Sequence, residues 1–281
     1  MAGFFGARLA RVADVTLAGT WTQGLAAIAR SGIVLETPDG EEAFAVRAVR
    51  LGTPLPAADL VLVLVKAGQT DRVASQVPAL TARGGHVLTL QNGLGNVEKL
   101  GARALLGVTS QGATLTGPGR VRPCGDGPTH IAGPDSLAAV FRSAGLDARA
   151  VDPARGAALA WGKLAVNAGI NALSAILNVP NGELLARPEA RTLMEQAANE
   201  VAAVARAKGI ALPFGDAAAE ARRVAAATAA NLSSMLQDVL RGAPTEIDAI
   251  NGAVVREGAR LGVPTPANET LLRLVAARVA A

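Results

Sequence analysis

The sequence predicts an α/β protein: a Rossmann-like, doubly wound parallel sheet followed by an all-α carboxyl-terminal domain. Three observations lead there. Brief apolar runs closed by Gly, Lys or Asn alternate with helix-spaced segments over the first 150 or so residues; the strand signals then stop; and helix-like segments follow one another to the end. The expected division is residues 1–152 for the Rossmann-like domain and 153–281 for the helical domain.

Within the first part, "DVTLAG" (14–19), "DLVLVLVK" (59–66) and "GHVLTLQNG" (85–93) have the β-branched or leucine-rich character of buried strands. Between them, "TQGLAAIARSG" and "QTDRVASQVPALTARGG" space their apolar residues helically and end on glycine. "TGPGRVRPCGDGPTHIAG" (116–133) interrupts that rhythm with closely spaced Gly and Pro and predicts an added hairpin. "VDPARG" (151–156) is the expected linker. Helices are expected over 157–178, 184–208, 215–230, 232–241, 246–261 and 267–280. Ligands of open α/β sheets bind beyond the carboxyl ends of the strands, so a cleft between sheet and helical domain is the expected site.

Composition narrows the function classes. Half of the 281 residues are hydrophobic, enough for a sizeable core. The net charge of +4 comes from arginines scattered among acids, and aromatics make up 2%, so nothing here favours nucleic acid. The single cysteine, Cys124, excludes an internal disulfide and fits a reducing cytoplasm. His86 and His130 have no company of the kind a metal site needs, and no metal is expected. The longest uncharged stretch, Leu164 to Gly182, contains four asparagines and a proline and makes a poor membrane span.

Three groups of polar residues invite a functional reading. In "WGKLAVNAGINAL", Lys163, Asn167 and Asn171 recur at i, i+4 and i+8, one line along a helix whose other faces are apolar. The line is either a solvated face or a face turned to a ligand. Asparagine is a mediocre helix former that surface helices seldom choose, which favours the ligand. In "NLSSMLQDVLRGAPTEIDAINGAVV", Ser233, Ser234, Gln237, Asp238, Glu246, Asp248 and Asn251 gather hydroxyls and carboxylates. Taken alone, Glu246 reads as part of a helix cap, with Thr245 and Asp248 at capping-box spacing. Lys66 and Asn92 end neighbouring strands, where ligand contacts collect, although a strand-end lysine is equally a solvent-facing terminator.

Taken in order, "VKAGQT", "QNGLG", "WGKLAVNAGINALSAILNVPNGEL", "SSMLQDV", "TEIDAINGAVV" and "GVPTPAN" resemble the signature segments of the ketopantoate reductase (2-dehydropantoate 2-reductase) family. The resemblance implies NADPH-dependent reduction of 2-dehydropantoate to (R)-pantoate, a step of pantothenate and coenzyme A synthesis, in a cytoplasmic homodimer. It makes Lys163 the general acid, Asn167, Asn171, Asn181 and Ser234 substrate contacts, and Glu246 the residue that orients substrate and cofactor. Lys66 and Asn92 become cofactor contacts.

The chain departs from the family pattern at two places. "MAGFFGARLA" resembles the end of the family's glycine-rich phosphate turn and the helix after it, with Ala2 and Gly3 on the cofactor side; the strand before that turn and its first two glycines are absent. A truncated or misassigned start is the expectation, and with it weak dinucleotide binding and a gap in the sheet. At the end of "VTLAGTW", Thr20 stands where the family offers an arginine to the 2′-phosphate, which leaves NADH open beside NADPH. The alternatives are a related 2-keto acid reductase and a catalytically impaired dinucleotide-sensing paralogue.

Overall fold

The computed structural model describes residues 1–279. The chain runs α1 (Ala2–Leu9), β1 (Thr16–Gly19), α2 (Thr22–Ser31), β2 (Ile33–Thr37), β3 (Gly40–Phe44), β4 (Arg47–Arg50), β5 (Ala58–Val63), α3 (Thr70–Ala74), α4 (Val77–Leu80), β6 (Thr81–Thr89), α5 (Asn96–Leu100) and β7 (Ala104–Thr109). It continues through β8 (Gly112–Gly117), β9 (Arg120–Gly125), β10 (Thr129–Ala132), α6 (Asp135–Ser143) and β11 (Ala148–Val151). Helices follow: α7 (Pro153–Leu177), α8 (Glu183–Ala186), α9 (Pro188–Ala207), α10 (Ala217–Ala227), α11 (Ser234–Leu240), α12 (Asn251–Leu261) and α13 (Pro266–Val279). The helix expected over 267–280 includes Ala280, which lies outside the described residues.

Two compact units emerge. The first comprises 1–65, 72–91 and 100–156; the second comprises 66–71, 92–99 and 157 onward. The segments that follow β5 and β6 in the chain, with Lys66 and Asn92 at their heads, thus group with the helices.

The first unit is Rossmann-like, with a mixed rather than purely parallel sheet. The five-stranded sheet has the order β11-β10-β7-β6-β5; β5, β6 and β7 run parallel, and β10 lies antiparallel to β7. β1 and β4 form a separate parallel pair, so β1 and β5 each end a sheet. Leu17 of β1 and Leu60 and Leu62 of β5 are only partly buried, yet all three pack on one cluster that contains Phe4, Phe5, Leu88 and Phe141. Phe5 anchors α1 in that cluster, its ring edge-on to Phe4 at 5.3 Å and to Phe141 at 6.0 Å.

The expected hairpin is β8–β9, turning at Gly119 with φ +74°. It belongs to a further four-stranded sheet, β3-β2-β9-β8, which the sequence reading did not foresee. The helix read over 69–85 ends at Leu80, and β6 begins at once. Pro78 starts a new short helix, and Gly84 (φ +83°) and Gly85 let β6 bulge close to the carbonyls of Ala58 and Asp59. The expected linker at 151–156 is replaced by β11 and the first turn of α7.

In the second unit α7 is the buried spine. Trp161, Leu164, Ala165, Ala168, Ala172 and Ala175 sit in a cluster with Met194, Val201 and Val204 of α9. Gly169 permits the closest approach, since a Cβ there would lie 2.7 Å from the Met194 carbonyl oxygen. α7 ends at Asn178, whose φ of 56° is the left-handed stop that asparagine tolerates, and the Val179 N–H turns back to the Ser174 carbonyl. A buried amide network ties α12 and α13 to this core. Asn251 donates to the Ala168 carbonyl and to Asn268 Oδ1, while Asn268 donates to the Ala197 carbonyl and to Glu200. Glu200 also accepts the Ala267 and Asn268 N–H groups at the start of α13.

Replacing Asn268 by Ala leaves one Asn251 amide hydrogen without its acceptor in the core and removes the amide that Glu200 and the Ala197 carbonyl accept. The expected cost is about 2–4 kcal/mol of unfolding free energy, read by denaturant titration.

Candidate active site

The loop before α12 brings the first elements of the site together. The sequence suggests a helix from residue 246, but α12 begins at Asn251 and 246–250 form turns, so Glu246 caps no helix. Its side chain is buried, and both oxygens are engaged. Oε1 accepts the backbone N–H of Ala67 at 3.3 Å, and Oε2 accepts the amide of Asn92 at 3.1 Å. One carboxylate therefore holds the segments that follow two neighbouring parallel strands.

Asn92 is fixed from its own side as well. Asn96 donates to its carbonyl, and Asn96 in turn accepts from the buried Thr70 hydroxyl. Gly93 makes the approach to the 246–250 turn possible. It sits at φ +82°, a Cβ would fall 2.4 Å from the Ala249 carbonyl oxygen, and that same oxygen accepts the Leu94 N–H at 3.0 Å.

Lys66 brings a cation to the same place. Its ammonium lies 2.6 Å from Asp238 Oδ2 and 4.0 Å from Glu246 Oε2. Asp238, on α11, is buried; burial pushes its carboxyl pKa up, and the nearby Glu246 adds to that, although Lys66 opposes both.

Lys163 stands on α7, one turn before Asn167 and two before Asn171. It is partly buried, and desolvation of the ammonium lowers its pKa to about 8, against the upward pull of the Glu246 carboxylate. A lysine so tuned keeps its proton at neutral pH yet can release it to an oxyanion. Asn167 is partly buried and Asn171 buried. The line is therefore not the solvated face that ordinary amphipathicity allows.

The structure separates two serines that the sequence places side by side. Ser233 is the N-cap of α11: its Oγ accepts the Leu236 N–H at 3.1 Å and the hydroxyl of the fully buried Ser174. Ser234, exposed at the first helical position, keeps its hydroxyl at the surface. Asn181 is buried; its amide nitrogen donates to Thr228 at 2.9 Å, while its Oδ1 is buried without a partner.

Ala2, Gly3 and Thr20 belong to the first unit. Ala2 and Gly3 open α1, whose first turn has no acidic residue, and Thr20 is exposed directly after β1. Among the described residues, no group of His, Cys, Asp or Glu could hold a metal ion, and no helix is long and apolar enough to cross a membrane.

The sequence reading thus named Lys66, Asn92, Lys163 and Glu246 separately. It singles out neither the Ala67 N–H nor the specific pairing of Asp238, which stands undistinguished in a polar cluster. In "SSMLQDV" Asp238 stands three residues after the buried Met235, a helical spacing that places both on the inward side.

The description "Ketopantoate reductase PanE/ApbA" matches residues 1–135, and "Ketopantoate reductase PanE/ApbA C terminal" matches residues 157–279. A 2-dehydropantoate 2-reductase from Archaeoglobus fulgidus is 40% identical over 229 residues, covering 78% of this chain and 76% of that one. Its namesake from Halobacterium salinarum is 37% identical over 277 residues, covering 93% and 89%. Among solved structures, the ternary structure of D-mandelate dehydrogenase with NADH and anilino(oxo)acetate aligns with a TM-score of 0.91 at 28% identity, over 99% of this chain and 94% of that one. A PanE/ApbA family ketopantoate reductase from Ralstonia eutropha JMP134 aligns with a TM-score of 0.90 at 37% identity, over 98% and 94%.

Gly93→Ala forces a methyl group into the Ala249 carbonyl and an unfavourable backbone angle. It is expected to lower stability by about 2–3 kcal/mol and to release Asn92 from Glu246, checked by thermal unfolding and by the Asn92 side-chain amide resonances.

Proposed function

Because this chain belongs to the ketopantoate reductase family, we propose that it reduces the ketone of 2-dehydropantoate to the alcohol of (R)-pantoate, with NADPH as the reductant. The observation that carries the reading is Lys163: a partly buried lysine with its pKa brought down to about 8, on the same line of α7 as two asparagines and within the field of Glu246.

The donor chemistry of the chain fits a nicotinamide dinucleotide. The amino end of α1 carries no acidic residue that would repel a pyrophosphate. Thr20 offers a hydroxyl, Lys66 a cation and Asn92 an amide, and these four places are the ones that would hold the cofactor. When bound, the reduced nicotinamide supplies the hydride.

Every other step falls to side chains of this protein. Lys163 polarises the ketone oxygen and gives it a proton as negative charge develops there. Asn167 and Asn171 donate and accept without adding charge that would compete with Lys163, and Asn181 and Ser234 complete the contacts to hydroxyl and carboxylate. The partnerless Oδ1 of Asn181 supports its place in that set. Glu246 orients the reacting groups and sustains the charge of Lys163.

A second reading, reduction of a different 2-keto acid, draws on the similarity to D-mandelate dehydrogenase along nearly the whole chain. Steady-state assays of the purified chain with 2-dehydropantoate and a panel of other 2-keto acids separate the two. With a neutral hydroxyl at Thr20, kcat/KM is expected to favour NADPH over NADH by about tenfold, the worth of one uncharged hydrogen bond. A ratio at or below one assigns NADH as the reductant.

Lys163→Ala is expected to lower kcat by about 10²–10⁴-fold. In the parent, the acid must carry its proton, so kcat should hold below about pH 8 and fall as pH rises through that value.

A further inference from the structure

Asp238 has no role in the reading above, yet its placement calls for one. It is a carboxylate on the buried side of α11, 9% exposed, and cannot be a cap, because Ser233 already caps that helix. Burying a carboxylate is costly, and replacing a buried ion pair with apolar groups is often neutral or stabilising. Simple cohesion therefore explains it poorly.

The geometry around Lys66 supplies the reason. Its ammonium has two anions within reach and touches one: Asp238 Oδ2 at 2.6 Å, against Glu246 Oε2 at 4.0 Å. Glu246 Oε2 is also the atom that accepts the Asn92 amide. A lysine that closed the remaining distance would compete with Asn92 for that oxygen and would neutralise the carboxylate that sustains the charge of Lys163.

We infer that Asp238 is a positioning residue: it holds the Lys66 ammonium away from Glu246, so that Glu246 keeps Asn92 in place and keeps its negative field on Lys163. The inference rests on the roles given above to Lys163 and Glu246. The charged groups concerned are Lys66, Glu246 and Arg241 around Asp238, and Glu246 acting on Lys163.

The test requires no turnover, so it can fail independently of the proposed reaction. The chain has four lysines, Lys66, Lys99, Lys163 and Lys208, and ¹³Cε-lysine labelling of the full-length protein without cofactor lets each be titrated by NMR. Lys163 is expected to titrate near 8 in the parent. In Asp238→Asn, Lys66 is free to close on Glu246, and the Lys163 value is expected to fall by roughly half a unit or more. In Lys66→Met, and in the Lys66→Met/Asp238→Asn double variant, no cation can close on Glu246, and Lys163 is expected to stay within about 0.2 unit of the parent.

An unchanged Lys163 in Asp238→Asn would reduce Asp238 to a structural tie and overturn the inference. So would a rise in Lys66→Met that matches the fall in Asp238→Asn, because the two charges would then act on Lys163 independently through space. If Asp238→Asn does not fold, Asp238→Ser takes its place under the same readings: a fall in Lys163 that Lys66→Met abolishes supports the clamp, and an unchanged Lys163 overturns it. As a kinetic counterpart, the basic limb of the kcat profile should move down in Asp238→Asn with the NMR value, a movement that loss of folded protein would not produce.

Discussion

The carboxylate of Glu246 is the interaction on which the site depends. It is buried, its two oxygens accept from different segments, and those segments follow β5 and β6 in the chain. Strand ends in an α/β sheet are connected by loops that would otherwise fluctuate, and a site assembled on them needs an anchor. Here the anchor is a single ionised side chain from a turn that precedes α12. It explains why 66–71 and 92–99 group with the helices although the neighbouring strands belong to the other unit.

Electrostatic balance around that carboxylate is narrow. Asp238 and Glu246 are both buried, Lys66 pairs with the first, and Lys163 feels the second. Desolvation raises the pKa of Asp238 and lowers that of Lys163, so burial favours the neutral form of each while the partner charges oppose it. Such opposed terms place a lysine pKa near neutrality, where proton donation to an alkoxide is efficient.

The helical unit provides rigidity with small side chains. α7 packs through alanines and Gly169 against α9, so the two backbones come close and the line of Lys163, Asn167 and Asn171 has little freedom to shift. The Asn251–Asn268–Glu200 network performs the same service farther along: it fixes where α12 and α13 begin, and therefore where the turn bearing Glu246 must end. A solved D-mandelate dehydrogenase aligns along nearly the whole chain, which fits a scaffold whose specificity is set by a few side chains.

The sequence by itself determined the succession of an α/β part and a helical part, and the family. Alternation of apolar runs with helical spacing marked the α/β part, and the i, i+4, i+8 line on α7 marked Lys163, Asn167 and Asn171, because both patterns are set by local backbone geometry. It did not disclose the four-stranded sheet β3-β2-β9-β8, which joins strands distant in the chain, nor the end of a helix at Leu80, where the bulged pairing of β6 with β5 overrides local propensity. Glu246 resembled a cap until the turn at 246–250 removed the helix beneath it. Its partners lie 154 and 179 residues away, and Asp238 meets Lys66 across 172 residues. Only the tertiary structure could decide those contacts: the energy of a buried charge depends on what surrounds it in space, and no local pattern records that.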